Sequence, residues 1–259
     1  MGTIAGSAGA ARPATGRDGQ FFLVSAILMA LVLVAGFSLN LAMGRSTFAS
    51  PPRFHAHALL FFGWTALYVT QNALAANNSL ALHRRLGWLA AIWVPLMVVS
   101  GIYMTVLDVR AGRLPPFFQP AYFLAMNPLQ ILGFAALVLA AILQRRRTQW
   151  HRRLMLCAMA TILGPGFGRL LPMPLFIPWT GWAAFAPGLL FPVAGAIRDL
   201  RRDGRVHPAW WWGIGAMLAV QTLVGLLAAS PAGLAAYEWV TSGLPHPLPP
   251  YDFPIFSHR

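Results

Sequence analysis

Long apolar runs, separated by short polar stretches, make up most of the chain. A helix needs about 20 mostly apolar residues to cross about 30 Å of hydrocarbon. Seven runs approach or exceed that length: residues 21–43, 54–76, 86–109, 117–143, 154–176, 179–197 and 209–229. The runs are apolar at both even and odd positions, whereas a membrane β-barrel strand alternates. The pattern predicts an all-α integral membrane bundle of about seven transmembrane helices.

These runs predict three regions. Residues 1–19 are rich in small and polar residues and carry too few apolar ones to fold alone, so we expect a disordered tail. Residues 20–230 form the seven-helix domain, and its first run is longer than a signal-peptide core. Residues 231–259 are predicted to form an amphipathic segment and an extended, proline-rich tail on the outer face. Prolines near residue 175 leave open whether the fifth and sixth runs cross fully.

The charge of the chain supports a membrane protein and gives its orientation. Only 10% of the residues are charged, against about a quarter in a soluble domain. A net charge of +13 would indicate a nucleic-acid partner in a soluble protein, but the basic residues are all arginines and nearly all lie between apolar runs. We therefore expect no nucleic acid, and the arginines orient helices instead.

Counted over seven spans, the arginines divide unequally between the two sides. The side of the N-terminus holds thirteen: Arg12, Arg17, Arg84, Arg85, Arg145, Arg146, Arg147, Arg152, Arg153, Arg198, Arg201, Arg202 and Arg205. The other side holds five: Arg45, Arg53, Arg110, Arg113 and Arg259. The positive-inside rule then predicts a cytoplasmic N-terminus and an external C-terminus.

A His-Arg-Arg sequence occurs twice, each time just before an apolar run, as His83-Arg84-Arg85 and His151-Arg152-Arg153. Arginines at helix ends reach the lipid headgroups, fix orientation and can bind anionic lipids, so a structural role is one interpretation. In the other interpretation, His83 and His151 approach each other at the cytoplasmic face and bind a haem iron or a polar ligand. Neutral imidazole is a usual haem ligand.

The motifs around these histidines carry a resemblance that covers residues 54–171. They are His57, Gln71 and Leu82-His83-Arg84-Arg85-Leu86-Gly87, followed by Arg145-Arg146-Arg147, His151-Arg152-Arg153-Leu154-Met155 and Gly168-Arg169-Leu170. The pattern resembles a family of uncharacterised bacterial multi-span membrane proteins, which implies the bacterial cytoplasmic membrane and no known activity. It is more loosely similar to transmembrane cytochrome b proteins, which implies haem b as a possible cofactor.

A second group of polar residues falls in the outer half of the predicted membrane: His55, His57, Asn127 and Arg169. Arg169 is the one charge well inside a predicted span, where it costs about 2.5–3.5 kcal/mol. It follows a Gly-Pro-Gly-Phe-Gly sequence that should break the helix, and broken helices within membranes usually line cavities. The four residues are candidates for binding a small polar or anionic ligand. Alternatively, the span ends at the break and Arg169 reaches the interface.

The chain lacks the motifs of common enzyme classes. It has no GxGxxG, phosphate loop, His-Glu-x-x-His or nucleophile elbow, so no catalytic residue is assigned and an enzymatic role is left open. His55 and His57 lack a convincing third ligand, so no metal site is predicted. Three hypotheses follow: a ligand-binding membrane protein, a haem b-binding redox or respiratory-chain accessory protein, and a structural or assembly subunit of a membrane complex. All three have the lipid bilayer as partner.

Overall fold

The computed structural model describes residues 15–256. All regular secondary structure within that range is helical, and no strand is assigned there. The all-α prediction is confirmed there. The α-helices are α1 (Thr15–Ala42), α2 (Pro52–Ala76), α3 (Leu80–Gly87), α4 (Ala90–Arg110), α5 (Pro120–Leu143), α6 (Thr148–Thr161), α7 (Gly164–Leu170), α8 (Thr180–Phe185), α9 (Leu190–Asp203), α10 (Pro208–Ala228) and α11 (Pro231–Thr241). Short 3-10 helices cover Met173–Phe176, Ala186–Leu189 and Pro254–Phe256.

Within the described residues, five helical stretches are long and apolar enough to cross a membrane. They are Asp18–Ala42, Ala90–Arg110, Pro120–Leu143, Thr180–Asp203 and Pro208–Ala228. The predicted count of seven is therefore not confirmed. The other two apolar runs correspond to α2, which carries polar side chains at both ends, and to α6 with α7, which are separated by a break.

The start of the first helix differs from the prediction. Helix α1 begins at Thr15, so residues 15–19 are helical rather than part of a disordered tail, while residues 1–14 lie outside the described range. The Asp18 carboxylate lies in the first turn of α1, where the helix dipole favours an anion. Both His-Arg-Arg motifs are also helical, since His83 belongs to α3 and His151 to α6.

Helix α5 forms the centre of the bundle and packs against α4, α6 and α10. Its Phe134 is fully buried and meets Trp64 of α2 edge to face, with ring centroids 5.2 Å apart. Helix α1 packs along α2 on one side and α7 on the other. This arrangement brings α1, α2, α4 and α7 into one continuous group of neighbouring helices.

The proline-rich tail after α11 lies across one end of the bundle. Tyr237 of α11 donates a hydrogen bond to the Leu248 carbonyl oxygen at 2.5 Å. The Gln119 side chain donates a hydrogen bond to the Tyr251 carbonyl oxygen at 2.6 Å. The Ile255 amide donates to the Pro116 carbonyl oxygen at 2.9 Å. These contacts attach the tail to the start of α5. We call this the far end of the bundle.

The opposite end, which we call the basic end, contains a buried ion pair. Arg153 of α6 is 2% exposed, and its Nη2 donates to both carboxylate oxygens of Asp199 in α9, at 2.7 and 2.8 Å. Its Nε adds a further hydrogen bond of 3.0 Å to the same carboxylate. Trp210 of α10 donates its indole N–H to Asp199 at 2.8 Å. One carboxylate thus joins three helices.

A second carboxylate at the basic end, Asp18 of α1, pairs with three arginines. Arg152 lies 2.8 Å and Arg198 2.7 Å from it, and Arg202 is the third partner. The Arg152 guanidinium also covers the Phe22 ring at 4.8 Å. Arg152 and Arg153 therefore tie helices together, in contrast to the headgroup role expected of them, because both find carboxylates inside the bundle. Arg84 and Arg85 are exposed.

We predict that Arg153→Ala lowers the free energy of unfolding by about 3–5 kcal/mol, because it leaves the Asp199 carboxylate buried without its cation. Arg84→Ala, which removes an exposed arginine, is the control and should change stability by less than about 0.5 kcal/mol. Denaturant unfolding in non-ionic detergent measures both. Equal effects of the two substitutions would contradict a structural role for the buried pair.

Candidate ligand-binding site

The position of Arg169 depends on a close approach of α1 and α7. A Cβ atom added to Gly36 of α1 would lie 2.5 Å from the Gly166 carbonyl oxygen, so the two backbones are in direct contact. This contact places the residues after each glycine side by side. The Arg169 guanidinium carbon consequently lies 3.9 Å from the centroid of the Phe37 ring.

The Arg169 side chain is half-buried and only partly satisfied. Its Nη1 donates a hydrogen bond of 2.8 Å to the Pro165 carbonyl oxygen, one turn earlier. Its Nε is buried and has no hydrogen-bond partner. No carboxylate in residues 18–256 forms an ion pair with Arg169. Arg169 therefore differs from Arg152 and Arg153 in lacking a described carboxylate partner, although Nε of Arg152 is also buried without a hydrogen-bond partner.

His57 of α2 lies within electrostatic range of this arginine. Its Nδ1 shares a hydrogen bond of 3.0 Å with the Ser100 hydroxyl of α4, and its ring centroid lies 4.4 Å from that of Phe61. His57 and Arg169, both predicted as site residues, are thus brought together. Phe37 and Ser100 join them, so the cluster draws on α1, α2, α4 and α7.

The other two predicted members have local partners instead. His55 Nε2 lies 3.1 Å from the Phe48 carbonyl oxygen and 3.0 Å from that of Ser50, so the ring closes the loop before α2. The Asn127 side chain donates to the Phe123 carbonyl oxygen one turn earlier in α5, at 3.1 Å. Neither residue has a described contact with Arg169. The site consequently contains two of the four candidates.

At the basic end, the rings of His83 and His151 face each other with centroids 6.2 Å apart and planes at 90°. Nδ1 of His83 lies 3.2 Å from the Gln71 carbonyl oxygen, and Nδ1 of His151 lies 2.9 Å from that of Ala141. Because a carbonyl oxygen only accepts hydrogen bonds, each Nδ1 carries a proton, and in a neutral ring the lone pair is then on Nε2.

Sequence reasoning missed a polar face of α2. The atoms Trp64 Nε1, Tyr68 Oη and Gln71 Oε1 are buried without hydrogen-bond partners. Spacings of four and three residues place these side chains on one face of the helix, leading toward His83. Gln71 belongs to the motif of the family resemblance, but the spacing of all three side chains is the signal that would have found this face.

Two cavities in the described residues lie elsewhere. A groove of about 650 Å³ separates α1 from α9 near Phe21 and Arg198, and a second cavity of about 210 Å³ is lined by Tyr122 and Trp179, among others. Neither is lined by Arg169 or His57, so the candidate site is a side-chain cluster between packed helices rather than one of these cavities. Residues 18–256 contain no group of three or more His, Cys, Asp or Glu placed to hold a metal ion.

No family model, curated protein or solved structure matches the chain. The family resemblance therefore stays an expectation. The interpretation of both histidine sites rests on their own geometry and on general chemistry.

We predict that Gly36→Ala destabilises the protein by about 1–3 kcal/mol, because the new methyl group forces α1 away from the α7 backbone. Gly215→Ala of α10 is the matched control, since a Cβ there meets nothing within 4 Å and alanine favours a helix. Thermal unfolding in non-ionic detergent compares the two variants. If Gly36→Ala melts at or above the temperature of the control, the close contact does not hold α7 in place.

Proposed function

We propose that this protein is an integral membrane protein that binds a small anionic ligand at Arg169. The observation that carries the proposal is the buried Nε of Arg169, which has no hydrogen-bond partner. A charged group removed from water without a partner costs several kcal/mol, and a hydrogen-bonded counter-ion offsets that cost. No described carboxylate serves this purpose, so an anion from outside the chain is the natural partner.

The proposal includes the topology of the chain. In addition to the five apolar helices, α2 has 25 residues, or about 38 Å, and α6 with α7 continue in one direction through a break. We take these as two further crossings, with the N-terminus in the cytoplasm of a bacterium. The arginine distribution supports this orientation. It puts the basic end inside and places Arg169 and His57 in the outer half of the membrane.

We predict that Arg169→Gln weakens the binding of a small monovalent anion such as acetate or benzoate at least tenfold. Hydrogen bonds to a charged group contribute about 1.5–3 kcal/mol, and 1.4 kcal/mol corresponds to a factor of ten. Isothermal titration calorimetry on the full chain in non-ionic detergent measures the affinity. Arg45→Gln removes an exposed arginine and is the control, with unchanged binding expected. Binding that is unaffected by Arg169→Gln would refute the proposal.

The paired rings of His83 and His151 support a second candidate, a redox role with haem b. Two free Nε2 atoms on rings 6.2 Å apart fit two ligands of one metal atom, since metal–imidazole bonds are about 2.0–2.1 Å. The carbonyl contacts of both Nδ1 atoms are the outer hydrogen bonds that orient metal-binding histidines. If haem is bound, His83 and His151 are the residues that would hold its iron, and the iron would supply one-electron transfer.

For this candidate, we predict a Soret absorbance band in protein expressed with haem supply, and its loss in His83→Ala and His151→Ala. His246→Ala removes a histidine from the far-end tail and should leave the band unchanged. A visible spectrum of each purified variant provides the measurement. Wild-type protein without a Soret band would eliminate the haem hypothesis and leave the anion site untouched.

A further inference from the structure

We infer that the ligand at Arg169 is a monocarboxylate with an apolar body, such as an alkyl or aryl carboxylate. This inference rests on the proposed function, because it specifies the chemistry of the same site. Three features of the cluster support it: the unoccupied edge of the guanidinium, the charge that one arginine compensates, and the aromatic side chains around it.

The hydrogen bonds of Arg169 leave one edge of the guanidinium without an acceptor among the described residues, and Nε on that edge is buried among neighbouring atoms. Nη1 is used by the Pro165 carbonyl oxygen, and one face of the planar group lies on the Phe37 ring. Nε has no partner, and no described residue accepts a hydrogen bond from Nη2. The N–H bonds of Nε and Nη2 on this edge are parallel. Two parallel donors match the two oxygens of a carboxylate, which is the usual bidentate geometry of arginine.

The charge balance favours a monoanion. Arg169 contributes one positive charge, and His57, which is within electrostatic range, already shares its Nδ1 with the Ser100 hydroxyl. A phosphate group carries about −1.5 to −2 at neutral pH and three strong acceptor oxygens. One arginine edge would leave a phosphate with uncompensated charge and unsatisfied acceptors in the membrane interior. A carboxylate is satisfied in both respects.

The surroundings of the guanidinium are aromatic. Phe37 lies under Arg169 and meets Phe62 edge to face with ring centroids 5.2 Å apart, while Phe61 lies against His57 at 4.4 Å. These rings come from α1 and α2. They offer apolar contact to the remainder of the ligand. Formate and acetate are too small to make this contact.

The experiment compares four probes on the full chain in lipid nanodiscs: octanoate, its uncharged analogue octanamide, acetate and inorganic phosphate. Titration calorimetry, with empty nanodiscs subtracted, gives the affinity of each. We expect octanoate to bind at least tenfold more tightly than octanamide and more tightly than acetate, with no measurable binding of phosphate. Arg169→Lys keeps the charge but removes the two parallel N–H donors, and should weaken octanoate binding about as much as Arg169→Gln does. Arg45→Gln should leave it unchanged.

Each other outcome has a distinct meaning. Phosphate binding that depends on Arg169 and equals or exceeds octanoate binding would overturn the carboxylate inference while supporting an anion site. Full octanoate affinity in Arg169→Lys would overturn the bidentate geometry. Octanoate uptake that is unaffected by Arg169→Gln would reflect partition into lipid and would overturn both the inference and the proposed function. Elution volume and melting temperature establish that each variant is folded.

Discussion

The architecture depends on compensating charge inside a low-dielectric bundle. At the basic end, Asp199 neutralises the buried Arg153, and Asp18 gathers arginines from α6 and α9. These two carboxylates connect α1 and α6 to the consecutive helices α9 and α10. Removing either partner of such a pair leaves a charge that hydrocarbon cannot solvate, which gives these contacts a weight that surface ion pairs lack.

The same constraint singles out Arg169. Its guanidinium lies in the bundle with a ring on one face and a carbonyl oxygen on one nitrogen, but without a described acid. Asp199 neutralises Arg153, whereas Arg169 has no described carboxylate, and the proposed anion would supply its counter-charge. Charge compensation therefore explains both ends of the molecule: internal acids at the basic end, and a proposed ligand in the other half.

The histidines divide by the chemistry of their partners. His55 contacts two loop carbonyl oxygens, and His57 contacts a hydroxyl beside Arg169. His83 and His151 each contact a carbonyl oxygen through Nδ1, and their ring centroids lie 6.2 Å apart. The unpartnered polar atoms along α2 lie between the helix centre and this pair. Burial of such atoms is costly unless they serve a polar ligand or water.

The apolar runs and the charge distribution determined the helical class and drew attention to a break near Gly164 and to Arg169, because each depends on local composition alone; the Gly-Pro-Gly-Phe-Gly sequence itself is helical and the break lies just before it. The sequence overestimated the number of clearly apolar spans, since polar residues in α2 and the break after α6 lower their apolarity. Only the tertiary structure decided that Arg153 finds Asp199 and that Arg169 finds Phe37 and His57. These partners lie on separate helices, and which helices touch is set by close backbone packing that no local pattern encodes.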